Sequence, residues 1–138
     1  MNKYLSEIFA EFTYADSMSY SDLLICENML MENLEGIFKD GGAEHLDFTP
    51  LGDMLMSQCA LEIRNLEILR DIAQEIAIIL PKNIRCRILC LQKSLDTYDM
   101  FWIERGKWSE KQYSLSQLPP EGVKINLLKV NEDKPEDL

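Results

Sequence analysis

The chain has 138 residues, 46% of them hydrophobic and 28% charged, with a formal net charge of −10. That length holds one ordinary domain, and the composition is globular, which excludes a disordered chain. No apolar run reaches the roughly 18 residues of a membrane span, and Met-Asn-Lys-Tyr-Leu-Ser-Glu at the start lacks the basic flank and apolar core of a secretory signal; a cytoplasmic location without membrane contact is expected.

Tyr4, Leu5, Ile8, Phe9 and Phe12 fall at helical spacing and predict a short amphipathic helix that ends near Thr13–Ser17. A second helix begins at Ser19, a capping residue with Asp22 three positions later, and Met18 and Leu23 are placed as a hydrophobic staple. It runs through Leu23, Leu30, Leu34 and Ile37 and stops at Gly41-Gly42, which readily take the left-handed conformation that closes a helix. A loop over Ala43–Phe48 holds the only histidine, His45.

Thr49-Pro50 predicts the start of a third and longest helix, which Pro81 ends. Leu61, Ile68, Leu69, Ile72, Ala73, Ile76, Ile79 and Leu80 cover about half its circumference. So wide an arc must touch two things, either the preceding helix and a sheet, or its own copy in a homodimer. Glu62 and Asn65 lie inside this arc, and Glu27 inside that of the second helix. They either fix register, as a buried Asn does in coiled coils, or sit at helix edges and reach solvent.

After Pro81 the period changes to two. Ile84, Cys86, Ile88 and Cys90 alternate with Arg85 and Arg87 in a first strand, and an aromatic second strand spans Tyr98–Glu104. Arg105-Gly106-Lys107 turns a hairpin into a third strand, Trp108–Leu115. Pro119-Pro120-Glu121-Gly122 turns the chain again into a fourth, Val123–Val130, before an acidic tail over 132–138. The expected fold is α+β: one domain over 1–131, with N-terminal helices in a helical hairpin (1–80) packed on a C-terminal four-stranded antiparallel β-meander (82–130).

Chemistry is hard to find. Nucleophilic catalysis needs a base beside its nucleophile, and His45 stands in a loop without a local signature. Cys26, Cys59, Cys86 and Cys90 sit in apolar surroundings and read as reduced core thiols. Cys86 and Cys90 are about 13 Å apart along a strand, too far to chelate one zinc ion. Glu44, His45 and Asp47 make at most a weak ion site, and no phosphate loop or dinucleotide fingerprint is present. We expect no enzyme, cofactor or metal.

Charge divides the chain. Residues 1–79 hold 4 Lys/Arg against 15 Asp/Glu, and residues 80–130 hold 9 against 5. An acidic front and a mildly basic back suggest two surfaces. In the back half, Tyr98, Phe101, Trp102, Trp108 and Tyr113 are interleaved with Arg105, Lys107 and Lys111. The pattern fits a sheet core, a protein-binding hot spot, or a surface for single-stranded nucleic acid. Tyr98, Trp102, Arg105, Lys107, Trp108 and Lys111 are the candidate contact residues, with a protein the favoured partner and nucleic acid the lesser one.

Three segments, Ile84-Arg85-Cys86-Arg87, Phe101-Trp102-Ile103-Glu104-Arg105 and Ser114-Leu115-Ser116-Gln117-Leu118-Pro119-Pro120-Glu121-Gly122, resemble in layout the MobI family of conjugative-transfer accessory proteins. Those proteins look like long helices followed by a basic strand, a Trp-centred strand and a closing Pro-x-Gly turn. The resemblance covers about residues 84–122 and implies assistance to plasmid mobilisation without catalysis. The function expected is thus that of a non-catalytic adaptor acting through protein contacts. The alternative is a small acidic secretion chaperone, whose usual interleaving of helices and strands differs from the helices-first order read here.

Overall fold

The computed structural model describes residues 6–62, 65–93, 97–114, 124 and 126–128. In chain order its elements are β1 (Ser6–Tyr14), α1 (Tyr20–Asp40), β2 (Glu44–Pro50), β3 (Met54–Leu61), α2 (Leu66–Ile79), β4 (Ile84–Gln92), β5 (Thr97–Glu104) and β6 (Lys107–Ser114).

The first of these corrects the expected N-terminal helix. Ser6, Ile8, Ala10, Phe12 and Tyr14 are buried while the residues between them are less so. The helical reading grouped Ile8, Phe9 and Phe12, but Ala10 and Tyr14 fill the remaining inward positions of a period-two pattern. α1 forms where expected. The Ser19 side chain accepts from the Asp22 amide at 3.2 Å. At the other end the Gly42 amide donates to Lys39 and the Ala43 amide to Phe38, with Gly42 at φ 89°. This is the Schellman closure, and it places the positive φ on Gly42 while Gly41 stays helical.

The expected third helix is the largest error. Its first half is the end of β2, a turn at Gly52 with φ 90°, and β3; the rest of β2 occupies the expected loop over Ala43–Phe48. Pro50 ends β2, an edge strand of the sheet, where a missing N–H is tolerated. In β3 the inward residues are Leu55, Ser57, Cys59 and Leu61, and two small polar or thiol side chains hide the alternation. Only Leu66–Ile79 is helical, and Asn65 begins it as the N-cap: its Oδ1 accepts from the Glu67 amide at 2.9 Å and the Ile68 amide at 3.4 Å. Asn65 therefore sets a helix start, not a buried register.

The six strands form one sheet in the order β2-β3-β1-β4-β5-β6, with every neighbouring pair antiparallel. This replaces the expected four-stranded meander. The class is α+β, but the helices are threaded between strands: β1 and β3, read as helical, are central to the sheet. β4, β5 and β6 match the first three expected strands within a residue or two. Of the fourth, positions 124 and 126–128 carry no regular structure; the rest, with the Pro-Pro-Glu-Gly turn and acidic tail, lies outside the described residues.

Both helices pack on the same sheet face. Tyr14 donates to Glu27 of α1 at 2.7 Å, and Trp108 Nε1 donates to Gln74 Oε1 of α2 at 2.9 Å. The strand register puts Tyr14 and Trp108 on one side with Ile84, Cys86 and Ile103. Phe12, Leu34, Phe38, Leu55, Ile76, Ile88 and Phe101 fill the layer between. Glu27, buried at 6% exposure, satisfies its carboxylate on Tyr14. Glu62 is exposed. The apolar arc of α2 is buried through Leu69, Ile72, Ala73, Ile76 and Ala77, against α1 as well as the sheet, which is the helix-and-sheet alternative for so wide an arc. Among the described residues no helix is long and apolar enough to cross a membrane.

Candidate functional site

With both helices on one side, the other face of the sheet carries no layer of its own among the described residues. Its side chains follow from the register. One cross-strand rung reads Glu11, Arg87, Trp102, Ser109 across β1, β4, β5 and β6. The adjacent rung on the same face pairs Thr13 with Arg85 and Glu104 with Lys107. Side chains two residues apart on a strand share a face, so these eight form a patch at the end of the sheet nearest the β5–β6 turn. A cleft of about 540 Å³ opens there, lined by Glu11, Arg85, Arg87, Trp102, Glu104 and Lys107 among others.

The electrostatics of the cleft are set by two carboxylates among three cations. Arg87 donates to Glu11 from Nε at 2.8 Å and also from Nη2. Lys107 Nζ lies 2.9 Å from Glu104, and Arg85 Nε stands 3.9 Å from the same carboxylate. The hydrogen bond and charge of Lys107, with a smaller contribution from Arg85, hold the Glu104 carboxyl below its ordinary range. Arg85 and Lys107 remain 83% and 76% exposed as side chains. Trp102 stands in the first rung, beside Arg87, at 39% exposure.

The six candidate residues read from the sequence are distributed unevenly over this site. Trp102 and Lys107 are in it. Trp108 also lines the cleft but projects to the helical side, where its ring meets Phe101 at 6.0 Å and its indole N–H is held by Gln74. Arg105 is exposed in the hairpin turn. Tyr98 and Lys111 share the open face with Trp102 but lie farther along: Tyr98 is four residues, roughly 13 Å, from Trp102. There Tyr98 stacks on Tyr113 with centroids 4.8 Å apart, and Lys111 Nζ sits 5.0 Å over the Tyr113 ring. Sequence reasoning missed Glu11, Arg85, Arg87 and Glu104 as members of the site. Arg85 and Arg87 were legible as the wet side of an alternating strand; Glu11 was hidden by reading its strand as a helix.

Elsewhere the chemistry-bearing residues are apart. His45 has φ 58°, uncommon for a residue with a side chain, at an irregularity in the β2 register between Glu44 and Asp47. Burial pushes the Cys59 thiol up to about 12 and the Cys86 thiol well above its usual value, so neither is a ready nucleophile near neutral pH. Among the described residues no three His, Cys, Asp or Glu side chains are grouped to hold a metal ion.

No known protein family matches the chain. No curated protein matches it either. Solved structures similar to it include the non-canonical dimeric guanylyl cyclase domain of the RhoGC fusion protein from the aquatic fungus Blastocladiella emersonii, at 15% identity and a TM-score of 0.44, over 78% of this chain and 67% of that one. Another is the guanylate cyclase domain of RhGC from Catenaria anguillulae in complex with GTP, at 14% identity and a TM-score of 0.44, over 83% of this chain and 69% of that one. Both are enzyme domains, so they do not bear out the expectation that the chain is not an enzyme. At such identities the likeness concerns chain arrangement and transfers neither substrate nor activity.

Proposed function

We propose that the chain is a binding domain for a protein partner, which docks on the open sheet face at the Trp102 cleft. The observation that carries this reading is Trp102 itself: a large aromatic, 39% exposed, standing in a charged cleft on the face that neither helix covers. Tryptophan and arginine are the residue types most enriched among side chains that dominate protein–protein binding energy. Apolar neighbours widen the surface, since Met100, Leu89 and Phe9 alternate with buried residues and are only half-buried. Nucleic acid is a poorer fit, because Glu11 and Glu104 stand inside the cation cluster and the chain carries −10 overall.

The MobI resemblance would place such a partner in DNA-transfer machinery, and its Trp-centred segment is the strand that ends at this cleft. The chaperone alternative gains ground on one point. Its helices and strands interleave, and so do those of this chain. A homodimer would use the open face, because α2 spends its apolar arc on the core.

The test is capture from native lysate by the wild-type chain and by Trp102→Ala, each with and without nuclease. Protein prey that survives nuclease and is lost by Trp102→Ala is the expected result. Prey that disappears with nuclease, or is retained equally by the variant, would contradict the reading.

A further inference from the structure

We infer that the segment seated in the Trp102 cleft is an acidic peptide in which one aromatic or large aliphatic side chain is flanked by Asp or Glu. This rests on the cleft being the docking site, and names what it recognises. The first observation is where the cations are. Residues 1–79 hold 4 Lys/Arg against 15 Asp/Glu, whereas Arg85, Arg87 and Lys107 converge on one cleft. An acidic segment is repelled by most of the surface and accepted here, which fixes where and in which orientation it docks.

The second observation is that Arg85 is lightly engaged and that Lys107 is held only in an exposed pair. Arg85 Nε stands 3.9 Å from Glu104, beyond hydrogen-bond distance, and its side chain is 83% exposed. A guanidinium has five N–H donors in a planar fork suited to a carboxylate, so Arg85 retains the geometry for a bidentate pair with an incoming Asp or Glu. Lys107 is held by Glu104 across the hairpin turn, at 76% exposure. Exposed pairs of this kind contribute little, so exchanging one carboxylate for another is nearly neutral in energy.

The third observation separates a peptide from a nucleic-acid strand. Glu11 and Glu104 divide the cations into two short sets, Arg87 beside Glu11 and Arg85 with Lys107 beside Glu104. A phosphate backbone needs a continuous positive track and would meet both carboxylates. A peptide with spaced acids avoids them. Its apolar side chain lies against Trp102, in a cleft whose volume is within the range of ligand pockets and leaves room for the flanking acids.

The experiment pans a displayed random-peptide library on the folded full chain, with Trp102→Ala as the counter-target. Enriched sequences are then made as labelled peptides and titrated by fluorescence anisotropy against wild type, Trp102→Ala, Trp102→Phe and Arg85→Glu, each first shown to melt cooperatively. The inference expects enrichment of acidic peptides with one apolar anchor, about tenfold weaker binding to Arg85→Glu, and partial retention by Trp102→Phe. It expects Arg85→Glu to prefer the same peptide with its acids changed to Lys. Neutral or basic peptides that still require Trp102 would overturn the acidic assignment and leave the docking site standing. Peptides indifferent to Trp102→Ala would overturn both. Displacement of the peptide by labelled single-stranded DNA at equal concentration would overturn the choice of a peptide over a nucleic acid.

Discussion

Two tryptophans six residues apart on one hairpin separate the two faces of this sheet. Trp108 points to the helical side, packs near Phe101 and is tethered to α2 through Gln74. Trp102 points the other way, is 39% exposed and stands among charges. The same residue type is packed under a helix on one face and left exposed on the other, and the difference is decided by strand parity alone. A single-residue slip of β5 would turn Trp102 to the helical side.

The comparison breaks first in the core. Phe101→Ala, beside Trp108 and fully buried, should cost about 3–5 kcal/mol in urea unfolding. Trp108→Ala should follow at about 3 kcal/mol, since it empties the space between β6 and α2 and leaves Gln74 without its donor. Trp102→Ala on the open face should change the unfolding free energy by less than about 1 kcal/mol. Equal losses for the two tryptophans would erase the distinction between the faces.

Smaller effects sharpen it. Asn65→Ala removes the cap of α2 and should cost about 1 kcal/mol, with Asn65→Asp restoring most of it. The Cys59 thiol adds a pH dependence on the helical side. Its folded value of about 12 lies above the ordinary 9.0 because of burial. Its contribution is complete below pH 9 and is lost as pH rises, because the unfolded chain releases the thiol proton between pH 9 and 12 and the native chain retains it. Urea titrations should therefore show a steeper decline above pH 9 for wild type than for Cys59→Ala.

How much of this could be read beforehand depended on which period dominated locally. α1 announced itself by Ser19, its apolar spacing and Gly41-Gly42, and β4 by the alternation of Ile84, Cys86, Ile88 and Cys90 with arginines. β1 and β3 did not, because Ser6, Ala10, Ser57 and Cys59 occupy inward positions that large apolar residues usually mark. Pro50 looked like a helix start and is the end of an edge strand. With β1 taken for a helix, Glu11 could not be placed beside Arg87. The site was visible only as an aromatic hairpin, not as a cleft spanning four strands. What turned the hairpin into a site was non-local register, which no short window contains.

Whether the open face is a binding surface is tested most directly by the paired tryptophan variants. Wild type, Trp102→Ala and Trp108→Phe would be compared for unfolding midpoint and for retention of nuclease-resistant protein prey in one quantitative capture experiment. If the open face is a binding surface, Trp102→Ala keeps the wild-type midpoint and loses the prey, while Trp108→Phe melts lower and keeps it. Full retention of the prey by Trp102→Ala at an unchanged midpoint would contradict a binding role for that face.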